Sequence, residues 1–140
     1  MSKVAVVYWS GTGNTEAMAM AVAEGAKGKG AEVSVITAAE FSPEQVGEYS
    51  AIAFGCPSMG SEQLEESEFE PMFTACEGRL SGKNIALFGS YGWGDGEWMR
   101  KWEARMKEAG ADVVGTVIAN NEPGGEDQGN LAELAKALLG

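Results

Sequence analysis

The sequence predicts an α/β fold, a doubly wound five-stranded parallel sheet in the order 2-1-3-4-5 with helices on both faces. Three observations lead there. Five short apolar runs are nearly continuous rather than alternating, as strands buried on both faces are. Helical patterns separate them, the β-α alternation that builds a parallel sheet with right-handed crossovers. The unusual residues of the chain fall just after the strands, where open α/β sheets bind ligands.

The first strand is expected over Lys3–Trp9. A helix follows from Thr15 to about Lys29, with Met18, Val22 and Ala26 at four-residue spacing. The second strand covers Glu32–Thr37, and the 38–49 connection, with Pro43, reads as a short helix or irregular loop. The third strand covers Ser50–Cys56. A second long helix runs from Ser67 to about Gly78 with Phe69, Met72, Phe73 and Cys76 on its stripe; Pro71 is tolerable in a first turn. The fourth strand covers Asn84–Ser90, and Glu97–Ala109 forms a helix whose Trp98, Trp102 and Met106 face the core. The fifth strand, Asp112–Ala119, is uninterrupted, and Gly125–Leu139 closes the chain as a helix carrying Leu131, Leu134 and Leu138.

One domain, residues 1–140, is expected, large enough for a real core. No segment approaches 18 uninterrupted apolar residues, so no membrane span is expected. The N-terminus enters a strand pattern without a signal-peptide apolar region, which makes cytoplasm the default. The net charge of −11 argues against nucleic acid, whose phosphates need a basic surface. Ten glutamates and no Lys or Arg lie between Gly30 and Gly78; such a face either solvates the chain or steers basic partners. Cys56 and Cys76 make no CxxC motif or zinc site and read as buried free thiols. The chain has no histidine, so a Ser-His-Asp triad is impossible, and no catalytic or metal-ligating set is expected.

The stretch Ser10-Gly11-Thr12-Gly13-Asn14-Thr15 joins the first strand to the first helix. It resembles a phosphate cradle without a cation, since no Lys or Arg occurs between Lys3 and Lys27. The P-loop pattern needs a Lys after its glycines, and the dinucleotide fingerprint needs a third glycine where Glu16 stands. The loop therefore favours a terminal phosphate monoester held by hydroxyls, an amide and backbone N–H groups at a helix N-terminus. A plain helix cap would use fewer such side chains. After the third strand comes Pro57-Ser58-Met59-Gly60-Ser61-Glu62, and after the fourth comes Tyr91-Gly92-Trp93-Gly94-Asp95-Gly96-Glu97. A Trp between two glycines suits a ligand face better than a core, and Met59 offers a soft surface opposite it. A phosphate at one end and a flat ring at the other describe a flavin mononucleotide (FMN) well and an adenine nucleotide less well, because nothing here suits a polyphosphate or Mg²⁺.

The motifs Val-Tyr-Trp-Ser-Gly-Thr-Gly-Asn-Thr-Glu (7–16), Gly-Cys-Pro-Ser-Met-Gly-Ser-Glu (55–62), Leu-Glu-Glu-Ser-Glu-Phe-Glu-Pro (64–71) and Leu-Phe-Gly-Ser-Tyr-Gly-Trp-Gly-Asp-Gly-Glu-Trp-Met (87–99) resemble those of the flavodoxins. Nearly end to end, the chain resembles the short-chain flavodoxins of anaerobic bacteria. The resemblance implies a flavodoxin-like fold, bound FMN and one-electron transfer between redox enzymes, mainly between semiquinone and hydroquinone. It implies that Ser10, Gly11, Thr12, Gly13, Asn14 and Thr15 hold the phosphate, and that Met59 and Trp93 flank the ring. Glu62 would meet the pyrimidine edge at N3, with Ser58, Gly60 and Ser61 beside it and Ser90, Tyr91, Gly92 and Gly94 lining the ring. Pro57 departs from relatives with a Ser there and offers neither hydroxyl nor N–H. The resemblance also implies a redox-linked flip of the Gly60-Ser61 peptide, for which Ser61 is expected to need a positive φ.

Glu62, Glu65, Glu66, Glu68, Asp95, Glu97 and Glu122 are expected to crowd the flavin edge and make the second couple strongly reducing. The expected partners are basic-surfaced redox enzymes, met by a monomer. An FMN-dependent quinone or flavin reductase on the same fold is the alternative.

Overall fold

The computed structural model describes residues 2–140. Strands β1 (Lys3–Tyr8), β2 (Glu32–Thr37), β3 (Ala51–Gly55), β4 (Asn84–Tyr91) and β5 (Asp112–Asn120) form one sheet in the order β2-β1-β3-β4-β5, every pair parallel. The predicted order is thus observed. Helices α1 (Asn14–Gly28) and α5 (Gly125–Leu138) cover one face. Helices α2 (Pro43–Val46), α3 (Phe69–Glu77) and α4 (Glu97–Glu108) cover the other, with a 3-10 turn at Ala38–Glu40.

The periodicities explain which side chains meet. Met18, Val22 and Ala26 of α1 pack with Leu131, Leu134 and Leu138 of α5 and with Val4, Val6 and Phe88 of the sheet. On the opposite face, Phe54 of β3 meets Phe73 edge-on at 5.2 Å between ring centroids. Phe69 and Phe73, four residues apart on α3, stack at 5.9 Å, and Trp102 meets both edge-on. Trp98 and Trp102 are core residues, as their spacing predicts, and Pro71 sits in the first turn of α3.

Two expectations need correction. Continuous apolar runs suggest burial on both faces for all five strands, yet only β1, β3 and β4 achieve it. The edge strands β2 and β5 are half-exposed because each lacks a neighbour on one side and helices cover them incompletely. In addition, β5 slips in register between Val113 and Gly115, opposite Ile85 and Ala86, so Val114 bulges. The strand continues to Asn120, with no inserted segment.

Candidate functional site at the carboxyl edge of the sheet

Ser10 organises the loop between β1 and α1. Its Oγ accepts hydrogen bonds from the N–H groups of Gly13, at 3.1 Å, and Glu16, at 3.2 Å. This satisfies donors that a helix N-terminus leaves open. Gly13 takes the left-handed conformation (φ +96°) that turns the chain into α1. Among the described residues, the N–H groups of Gly11, Thr12 and Thr15 find no protein acceptor. They are the free donors of a cradle at the positive end of the helix dipole.

The Thr15 hydroxyl is engaged by the protein itself. Thr15 is 1% exposed, and its hydroxyl lies 2.9 Å from Ser90 Oγ while accepting the Ser90 N–H at 3.2 Å. That hydroxyl ties α1 to the end of β4 and leaves the Thr15 backbone N–H as its open donor toward the cradle. Ser90 is also buried, and its carbonyl accepts the Ser58 N–H at 2.9 Å. One strut thus links the loops after β1, β3 and β4.

These loops enclose a cleft of about 250 Å³ lined by Trp9, Ser10, Gly11, Thr12, Asn14, Thr15, Pro57, Ser58, Met59, Ser90, Tyr91, Gly92 and Asn121. Trp9, Pro57 and Asn121 are additions to the expected set. Trp9 ends the first apolar run, where strand and site residue look alike. Its indole N–H donates to Glu68 Oε1 at 2.9 Å, and its ring fills the space beside Gly11, where a Cβ would come within 3.0 Å. Asn121 holds a left-handed backbone (φ +58°) just past β5, which such residues tolerate.

The remaining expected residues lie around this cleft rather than in its wall. Gly13 borders an adjoining cavity with Trp9 and Glu68. Gly60 is exposed at the tip of the loop after β3, and Ser61 and Glu62 border a cavity on the α4 side. Trp93 is 64% exposed between Gly92 and Gly94, so the core does not claim it. A larger cavity of about 510 Å³ lies at the opposite edge of the sheet, beside Lys29 and Lys136. It is remote from the strand carboxyl ends where this topology binds ligands.

The flavodoxin family model matches residues 6–137. The chain belongs to the flavodoxin family. A flavodoxin of Megasphaera elsdenii is 49% identical over 120 residues, covering 86% of this chain and 88% of that protein. One of Clostridium beijerinckii is 48% identical over 124 residues, covering 88% and 90%. The solution structure of the two-electron reduced Megasphaera elsdenii flavodoxin superposes with a TM-score of 0.88 at 47% identity, over 94% of this chain and 97% of that one. Flavodoxins carry FMN and move electrons between redox proteins; this chain is an electron-transfer protein, not an enzyme. Its site fits the cofactor: free N–H donors at a helix N-terminus suit a phosphate, and the largely apolar cleft beside them, with Met59 and Tyr91 in its wall, suits a flat ring.

In this flavodoxin the loop after β3 is a pinched hairpin. Met59 and Gln63 exchange backbone hydrogen bonds, N–H to O, at 2.8 and 2.9 Å. Its left-handed residues are Gly60 (φ +51°) and Glu62 (φ +55°), not Ser61. The three-residue loop must turn back before Gln63 can pair, and Glu62 absorbs that turn. The left-handed penalty of about 1 kcal/mol therefore falls on Glu62.

Glu65 corrects the picture of an open acidic rim. It is 5% exposed, and its carboxylate accepts the N–H groups of Ser67, Glu68 and Phe69 at 2.8–2.9 Å and the Ser67 hydroxyl. It is thereby the cap of α3. Burial alone pushes its pKa up, but these bonds outweigh burial and hold the carboxyl below its ordinary value. Its own N–H reaches Cys56 Sγ at 3.4 Å, closing the base of the hairpin. Other rim charges are paired: Asp95 with Arg100 at 3.0 Å, and Glu97 with Lys101 at 2.8 Å.

A folded-state pKa below the unfolded one stabilises the fold above the unfolded carboxylate range. That stability is lost as pH falls through the folded value. Glu65→Gln is therefore expected to lower stability by about 2 kcal/mol at neutral pH. The gap should shrink on acidification, as urea unfolding at a series of pH values would show. A gap independent of pH would mean the charge is immaterial.

Cys56 and Cys76 are buried and free. Burial raises both thiols, Cys76 to about 11, so neither is a thiolate near neutrality.

Proposed function

We propose that the chain is a low-potential carrier that works between the one-electron- and two-electron-reduced states of FMN. Its partners are redox enzymes with basic docking surfaces, and it acts as one domain, residues 1–140, and as a cytoplasmic monomer. The observation that carries this is the pairing of a cation-free phosphate cradle with a largely apolar cleft lined by Met59, Tyr91 and Gly92.

Bound FMN supplies the electron-accepting ring; the protein supplies its surroundings. Gly11, Thr12 and Thr15 N–H groups would hold the phosphate, joined by the Ser10, Thr12 and Asn14 side chains. Met59 and Trp93 would cover the ring faces, with Tyr91 and Gly92 along its side. The cradle donors are neutral and leave the phosphate charge largely uncompensated. A net charge of −11 adds to it, although pairing of Asp95 and Glu97 and capping by Glu65 soften the rim. One charge about 10 Å away disfavours an added electron by about 1.7 kcal/mol at an effective dielectric of 20. The same acidic surface would steer basic partners. Free thiols at 56 and 76 suit a reducing compartment.

Absorption spectra during stepwise reduction of the purified protein, repeated across ionic strengths, test this. A yellow protein should develop and then lose a long-wavelength band as the first and second electrons enter. The second potential should rise with salt, which screens the negative field. A colourless protein that does not take up FMN would overturn the cofactor assignment. A potential flat with salt would remove distant charges as the cause of low potential. The reductase alternative would be favoured by rapid NAD(P)H-dependent reduction of quinones.

A further inference from the structure

Glu62 and Gly94 belong to different loops, after β3 and after β4, yet they meet. Glu62 Oε1 accepts the N–H of Glu97, the first residue of α4, at 3.1 Å. A Cβ placed on Gly94 would stand 2.6 Å from Oε1, 2.7 Å from Cδ and 3.1 Å from Oε2 of that carboxylate. A methyl group there would push the carboxylate, the movable end of its side chain, out of this position. Gly94 also holds a left-handed backbone, φ +87°, which by itself would explain a glycine. The close approach is a second, separate demand on the same residue.

We propose that Gly94 is a positioning residue: having no side chain, it leaves the space in which the first turn of α4 holds the Glu62 carboxylate at the polar edge of the ring site. This rests on the FMN reading above. A carboxylate accepts hydrogen bonds and does not donate them. With Oε1 engaged by Glu97, Oε2 is the acceptor left for a ligand. That oxygen would meet the N–H of the pyrimidine edge, the contact that the flavodoxin resemblance implies for Glu62. Helix α4 orients the carboxylate, and Gly94 makes the orientation possible. The left-handed backbone of Glu62 (φ +55°) is the conformation that carries its side chain there.

A double-mutant cycle separates space for the carboxylate from backbone strain at position 94. FMN dissociation constants of the apoproteins, from quenching of flavin fluorescence, would be measured for Gly94→Ala alone and in a Glu62→Ala background. Loss of a charge-assisted hydrogen bond predicts about tenfold weaker binding for Gly94→Ala when Glu62 is present. When Glu62 is absent, the change should be below about twofold. Gly94→Asn retains a Cβ while tolerating left-handed φ, so it should weaken binding as alanine does. Equal losses in both backgrounds, or unimpaired binding by Gly94→Asn, would overturn the proposal. Thermal midpoints of the apoproteins supply a readout without FMN: the two substitutions should be non-additive. Additive losses there would overturn the proposal whatever FMN does. Failure of the unsubstituted chain to bind FMN, with coupling intact in the midpoints, would instead locate the fault in the cofactor reading.

Discussion

Gly89→Ala is expected to destabilise the protein by about 3 kcal/mol and to abolish FMN binding under conditions where the parent is saturated. Gly89 lies within β4, paired with Ile118 of β5. A Cβ there would fall 2.1 Å from the carbonyl oxygen of Cys56, 3.0 Å from its carbonyl carbon and 3.2 Å from Trp98 Cζ2. None of these is the loose end of a flexible side chain. The Cys56 carbonyl accepts the Trp98 indole N–H at 3.2 Å, and the Cys56 N–H donates to the Phe88 carbonyl at 3.1 Å. Relief would require the carboxyl ends of β3 and β4 to part. Ser58 and Ser90 through Gly92 depart from those ends, so the cleft would open with them. Urea unfolding of the apoprotein and an FMN titration would measure the two effects. An unchanged midpoint would show that the strand ends yield without cost.

Trp93→Ala should act in the opposite manner, with a large loss of binding and little loss of fold. Trp93 is exposed between glycines and lies outside both apolar clusters. Removing it should shift apoprotein stability by less than about 0.5 kcal/mol. Covering one face of a flavin ring combines area removed from water with offset stacking, together about 2–3 kcal/mol. FMN affinity should therefore fall about thirtyfold to a hundredfold. Fluorescence titration and thermal unfolding of the same preparation would check both halves. Unaltered affinity would remove Trp93 from the ring face; a strongly destabilised apoprotein would assign it to the fold instead.

Much of the site was legible because its residues are locally unusual. Four hydroxyl or amide side chains in Ser10–Thr15, and a Trp between glycines, have no ready explanation in packing. Trp9 escaped notice because an aromatic at the end of an apolar run looks like any strand residue. Asn121 was not assigned to the site because Asn120-Asn121 after a strand also suits an ordinary turn. Thr15 was legible as a loop residue, but its buried bond to Ser90, 75 positions away, was not. Glu65 looked like one more acid in an acidic stretch. Only the fold turned it toward four consecutive N–H donors, three met by its carboxylate and the fourth, that of Glu70, by its carbonyl. Ser61 was expected to take the left-handed backbone, but the Met59–Gln63 pairing moved it to Glu62.

By itself the sequence determined the strand and helix pattern, the sheet order, the cation-free cradle and the edge at which a ligand binds. These follow from hydrophobic period, turn chemistry and chain handedness, which act over a few residues or constrain every chain alike. The tertiary structure decided which acids remain open charges and which become caps or ion pairs. It decided that Thr15 braces β4 and that Glu62 reaches α4 past a glycine. Those outcomes depend on distances between segments far apart in the chain, and a hydrogen bond or a steric contact changes sign within an ångström.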